Sequence, residues 1–412
     1  MNGKSEILTE KLLVIALIII FILLLVLTFF NPYSQEKVQV GKDNVYRYEP
    51  PQATLAATGK DDSFTPAATA GKEDPKEDPK EDPKEDPKED PSEIFGSEAD
   101  NVLPDASGAL PYPAVKTYSS GHAYGRSLRV NIVVKNKGSD TASNIRLEIP
   151  LLAELDSPYQ HTVKETFSHE PVEVKRLDNN NRVAVFQLES LLPGASDTIT
   201  LEYLLNVYPL NFKQLLANTY HTSLSPQNFL GASEKIESNH PDIVRKAHEL
   251  TSACKTDLEK ARAICSFVIT YLKYDINSGS RNSGALIALR SGSGVCEDYA
   301  SLFAALCRAS GIPARVVNGY CDPKGTGDIW NLSPGERFPL QGYRHSWVEF
   351  YLHGSGWIPA DPTMDIQSGS MKYFGSLPQA SHLAQNYEDI PLKVRYKGAQ
   401  LSVTWEEELV GL

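Results

Sequence analysis

Cys296, His345 and Asp361 are the residues whose types and local settings could together do chemistry. Cys296 follows Ser293-Gly294-Val295 and opens a largely apolar run through Cys307 that closes at Ser310-Gly311-Ile312-Pro313. The pattern predicts a buried helix with the cysteine in its first turn. There the sulfur faces backbone N–H groups without intrahelical acceptors and the positive end of the helix dipole, which both favour thiolate. Arg344–Leu352 and Trp357–Pro362 read as strands joined by the turn His353-Gly354-Ser355-Gly356, with His345 near the start of one and Asp361 at the end of the other. Adjacent antiparallel strands can set that imidazole and carboxylate side by side. His345 would then take the thiol proton, Asp361 would fix its tautomer, and the Cys296 N–H would face a developing oxyanion. Singly, each residue has a plainer reading: a small buried hydrophobe, a strand-start histidine and a turn former before Pro362.

The elements that must position this trio have a helical period upstream and alternate further back. Leu258, Ala261, Cys265, Val268, Ile269 and Leu272 line one face of a helix opened by Thr256-Asp257, so Cys265 is a core residue, and Cys307 likewise. Ala285 to Arg290 forms a short turn, and Ile312 to Tyr320 a strand after the Cys296 helix. Cys321 to Tyr343, punctuated by glycine and proline, reads as a loop beside the site. Residues 112–210 switch to period two, as in Leu128/Val130/Ile132/Val134 and Ile199/Leu201/Tyr203/Leu205/Val207, with turns at Lys135–Gly138, Asp178–Asn181 and Pro193-Gly194. Short alternating strands at that spacing predict an all-β sandwich. Val394–Tyr396 and Leu401–Trp405 flank Lys397-Gly398 as a closing hairpin within 384–412.

The N-terminal third has another character. Residues 12–30 are an uncharged apolar run, about 28 Å long as a helix and enough for a bilayer core of ~30 Å. No small-residue cleavage site follows, so a single-pass signal anchor is expected, with 1–11 as a cytoplasmic tail. Flanking charges are nearly balanced (Lys4 and Lys11 against Lys37, Lys42 and Arg47), so the spacer carries the choice of an extracytoplasmic C-terminal part. Residues 31–111 lack sustained apolar periodicity and contain five copies of Lys-Glu-Asp-Pro over 72–91. A proline every fourth residue and the net charge of each copy stop helix or sheet from propagating, which predicts a disordered spacer.

The 412 residues carry a net charge of −12 and no basic stripe interleaved with aromatics, which excludes a nucleic-acid partner. Five cysteines at 254, 265, 296, 307 and 321 show neither CxxC nor zinc-finger spacing, so no metal site or cofactor is expected. Cys296 and Cys307 on one helix lie about 16 Å apart and cannot pair.

GVCEDYASLFAALCRASGIPARVVNGY around Cys296, HSWVEFYLHGSGWIPADPT around His345 and Asp361, and the upstream KTDLEKARAICSFVITYLKYD closely resemble the transglutaminase-like superfamily. The resemblance covers about residues 236–375. It implies an α+β papain-like core, here assigned to 236–383, with Cys296 as nucleophile, His345 as base and Asp361 as orienter. It also implies a peptide or protein amide as substrate. The preceding β-module resembles those that accompany such cores in membrane-anchored microbial proteins, whose members are often more protease-like than crosslinking. No acidic cluster resembles the calcium sites of the animal members. The expectation is therefore a membrane-anchored thiol acyl-transfer enzyme favouring hydrolysis. Its competitor is a catalytically silent surface scaffold.

Overall fold

The structure is a computed structural model that describes residues 39–40, 45–48, 123–153, 159–211 and 225–412. The apolar run 12–30 and the Lys-Glu-Asp-Pro repeats lie outside the described residues. Among those described, no helix is long and apolar enough to cross a membrane.

After the short strands Gln39–Val40 and Val45–Tyr48, six described strands precede the helices: β1 (Tyr124–Asn136), β2 (Ser143–Leu151), β3 (Gln160–Phe167), β4 (Glu173–Arg176), β5 (Arg182–Leu188) and β6 (Ser196–Val207). Their alternating residues turn inward, as in β1, where Leu128, Val130, Ile132 and Val134 are buried. Four helices follow: α1 (Pro241–Thr251), α2 (Asp257–Tyr271), α3 (Ala285–Ser291) and α4 (Cys296–Ala309). Helix α2 starts where Thr256 accepts the Glu259 N–H and Glu259 reaches back to the Thr256 N–H, a reciprocal cap. Next come β7 (Ala314–Cys321), β8 (Arg337–Pro339), β9 (Arg344–Leu352), β10 (Gly356–Ala360), the short α5 (Pro362–Ser368), β11 (His382–Tyr387), β12 (Leu392–Lys397) and β13 (Leu401–Val410).

The α+β core is the antiparallel sheet β10-β9-β7-β11 with α4 laid across it. Nearly every side chain of α4 is buried. A helix apolar all round must be enclosed on all sides, and α1, α2 and α3 close its far side.

The chain's end departs from expectation. β12 and β13 are strands, yet they do not pair with each other. β12 lies between Val45–Tyr48 and β2 in one sheet, and β13 lies between β8 and β1 in the other. A period-two pattern fixes which face is buried, not which neighbour supplies the hydrogen bonds, so Lys397–Gln400 crosses between layers rather than turning back within one. The sandwich is consequently not complete within 112–210. Its two sheets are finished by strands that follow the α+β core, which sits as an insertion between β6 and β12. The stretch Cys321–Tyr343 also differs from a free loop beside the site: β8 pairs with β13, and Trp330 and Leu340 join the sandwich core.

Three buried links tie the halves together. Tyr159 Oη donates to Glu349 Oε1 at 2.9 Å, Gln160 Nε2 to the Ala384 carbonyl at 2.8 Å, and Asn181 Nδ2 to the Tyr387 carbonyl at 2.5 Å. Glu349 also takes the Arg315 Nε–H at 2.8 Å, with both side chains fully buried.

Candidate active site

Cys296 is the first residue of α4, and the loop before it is tightly pinned. Asp298 accepts the backbone N–H groups of Val295 at 2.9 Å, Asn282 at 3.0 Å and Ser283 at 3.1 Å. A Cβ on Gly294 would sit 2.5 Å from the Asp298 Cβ, so only glycine passes there. Burial nevertheless pushes the Asp298 carboxyl up, against those three N–H groups.

His345 lies in β9 opposite Gly319, and Val348 pairs with Ala360 at the end of β10. Continuing that register by one residue sets Asp361 opposite Trp347, on the face that His345 shares two residues away. The result is a 2.6 Å contact between His345 Nε2 and Asp361 Oδ2, both fully buried side chains. Asp361 is also the cap of α5, where its Oδ1 takes the Thr363 and Met364 N–H groups at 3.0 Å each. Burial alone would raise this carboxyl. The facing imidazoles of His345 and His382 outweigh burial and hold it well below the usual carboxylate range.

An ionised carboxylate only accepts hydrogen bonds, so the His345 proton sits on Nε2 and the Nδ1 lone pair is open. His345 Nδ1 is buried and has no hydrogen-bond partner among the described residues. Trp347 stacks on the ring at 6.2 Å and walls off one side. The Cys296 sulfur lies against the next residue of the same strand, where the Ser346 backbone N–H favours thiolate.

The resting thiol is not the thiolate that the helix dipole alone implies. Cys296 is 1% exposed, and its thiol donates to Glu297 Oε2 at 3.1 Å. Burial first, then the Glu297 carboxylate, push it well above the ordinary cysteine value. Dipole and N–H attraction at the helix start are outweighed by desolvation and a like charge. Cys265 and Cys307 are buried and pushed up by burial, in keeping with core roles, and all five cysteines are free.

His382 was not visible as a site residue in the sequence. Its Nε2 reaches Asp361 Oδ2 at 3.0 Å, its Nδ1 faces Ser381 Oγ at 3.1 Å, and Cys321 Sγ lies 3.5 Å from Nε2. Burial pushes this imidazole down, and Asp361 opposes that. Its only forewarning is Gly319: a Cβ there would stand 1.9 Å from the Leu383 carbonyl, so β11 can close on β7 only at a glycine. One donor atom from each of Cys321, His345, Asp361 and His382 falls within 4.8 Å of the others. The thiol of this buried quartet is Cys321, not Cys296.

Cys296 opens a helix with its sulfur at the Ser346 backbone N–H, and the preceding strand residue, His345, is held by Asp361, an arrangement suited to thiol-based chemistry. Residues 244–362 match the model of the Transglutaminase-like superfamily. This chain carries a transglutaminase-like domain. An uncharacterised protein of Mycobacterium leprae is 27% identical over 216 residues, which are 52% of this chain and 66% of that protein. A protein-glutamine gamma-glutamyltransferase of Pseudomonas aeruginosa is 36% identical over 110 residues, 26% of this chain and 15% of its own length. The chain thus matches under two thirds of either relative. A solved structure described as a proposed cysteine protease of Cytophaga hutchinsonii aligns over 70% of this chain and 98% of that one, at 16% identity and a TM-score of 0.43.

Proposed function

We propose that the transglutaminase-like domain is a thiol acyl-transfer enzyme acting on peptide or protein amides, with Cys296 as nucleophile, His345 as base and Asp361 as the residue that orients the base. The observation that carries this reading is the 2.6 Å His345 Nε2 to Asp361 Oδ2 contact, which leaves His345 Nδ1 buried and without a hydrogen-bond partner among the described residues, one residue before the Ser346 N–H that meets the Cys296 sulfur. Nδ1 takes the Cys296 proton as sulfur attacks the substrate carbonyl, and Asp361 stabilises the imidazolium formed. The Cys296 N–H, in the first turn of α4, is one of the donors that helix geometry leaves open for the oxyanion. Return of the proton to the leaving amine gives a thioester on Cys296.

Water or an amine then resolves the thioester. Hydrolysis is the proposed main outcome, since water needs no second binding site, while transfer needs an amine held in place of water. The gamma-glutamyltransferase relative makes crosslinking the rival resolution. Anchoring through residues 12–30, with the domain outside the cytoplasm, is part of the same proposal and rests on the apolar run and the charged spacer. The test is product analysis on glutamine-containing peptides with and without a primary amine. Free acid in both conditions supports hydrolysis, amine adducts support transfer, and neither product, with Cys296→Ala indistinguishable from the parent, refutes the enzyme reading.

A further inference from the structure

We propose that Cys321, His345, Asp361 and His382 form a binding site for a zinc-class divalent cation that switches the base off. Two imidazoles, one thiol and one carboxylate are a ligand set suited to zinc or cobalt. A tetrahedral centre of that kind spaces its donors about 3.3–3.7 Å apart. Here the close pairs are 2.6 Å (His345–Asp361), 3.0 Å (His382–Asp361) and 3.5 Å (Cys321–His382), and all four donors lie within 4.8 Å. The ring has to open by no more than about an ångström at its tightest pair.

The surroundings match those of a metal centre as well. Asp361 Oδ1 is held by two backbone N–H groups and His382 Nδ1 faces Ser381 Oγ, the outer partners that fix ligand orientation. All four residues are buried, where an uncompensated charge is costly. A divalent cation between one carboxylate and one thiolate makes the site neutral.

The proton balance explains the switch. Cys321 gives its thiol proton to solvent when the sulfur binds the ion. Each imidazole frees Nε2 for the ion by moving its proton to Nδ1, with no net loss. On His382 that new Nδ1–H donates to Ser381 Oγ. On His345 it fills the nitrogen that otherwise accepts the Cys296 proton, and Asp361 is taken up by the ion at the same time. Metal binding stands apart from the acyl-transfer reading, while its inhibitory consequence rests on that reading.

The experiment uses the full chain and cobalt(II), added to folded protein and, separately, during refolding. A sulfur-to-cobalt charge-transfer band at one equivalent should survive in Cys296→Ala and vanish in both Cys321→Ala and Cys321→Ser. Cys321→Ser keeps the space filled should the alanine variant fold poorly. Zinc should abolish peptide-amide turnover of the parent and inhibit Cys321→Ser at least about tenfold less, the smallest loss expected for disturbing a metal's surroundings. A band that follows Cys296 instead of Cys321, or no band by either route of addition, overturns the proposal and leaves the quartet a hydrogen-bonded network. The cobalt arm does not need turnover, so failure of the metal site and failure of the enzyme reading give different results.

Discussion

Replacing Glu297 with glutamine should make the Cys296 thiol more reactive at neutral pH. The carboxylate oxygen is 3.1 Å from the sulfur, and two unit charges at that distance repel by about 5 kcal/mol at an effective dielectric of ~20. Glu297 is only partly buried, so solvent screens it, and a surviving fraction of about 1.5–3 kcal/mol corresponds to roughly one to two pH units. The sign follows from the charge: the ionised neighbour penalises thiolate, so removing it lowers the pH at which thiolate forms. Glutamine keeps the length of the side chain, and its amide N–H can donate to the sulfur. The assay is the rate of iodoacetamide alkylation at Cys296 against pH, followed by peptide mapping so that the other four thiols are scored separately. The variant's profile should rise at lower pH than the parent's. A profile that coincides with the parent's, or moves to higher pH, would refute the reasoning that Glu297 holds the thiol neutral.

Asp361→Asn should leave alkylation at Cys296 detectable but cut amide turnover by about 10⁴, the cost of holding the wrong imidazole tautomer in a serine-protease triad; steady-state kinetics beside the alkylation rate check the split. Arg315→Met strips the cationic partner from buried Glu349 and should cost about 3–5 kcal/mol of stability, read by urea denaturation, whereas the double variant with Glu349→Leu should recover part of the loss. Deleting residues 391–412 should unfold the sandwich as well as shorten the chain, because β12 and β13 are internal strands of its two sheets; loss of a cooperative thermal transition in the truncated protein is the expected result, and an intact sandwich would contradict the shared architecture.

How much of this was legible beforehand follows from which interactions are local. The helix start at Thr256-Asp257 and the His345/Asp361 pair on adjoining strands are set by short-range spacing, and the structure starts α2 there and brings that pair together. His382 was invisible because 21 residues and an excursion of the chain separate it from Asp361, and no period links them. The partners of β12 and β13 are not legible in the sequence for a related reason, since alternation specifies a buried face but is silent on the partner strand. At Cys296 the helix dipole favours thiolate, but burial in the folded packing and the Glu297 charge outweigh it.

The central claim is that Cys296 becomes acylated with His345 as its base. Its most direct test is intact-protein mass spectrometry after quenching the parent, Cys296→Ala and His345→Ala during reaction with an activated acyl ester. The parent should carry one acyl group, mapped to the Cys296 peptide. Cys296→Ala should carry none, and His345→Ala should acylate far more slowly despite the same fold by circular dichroism. Acylation of the Cys296→Ala protein at another thiol to the same extent, or an acylation rate in His345→Ala equal to the parent's, would contradict the account.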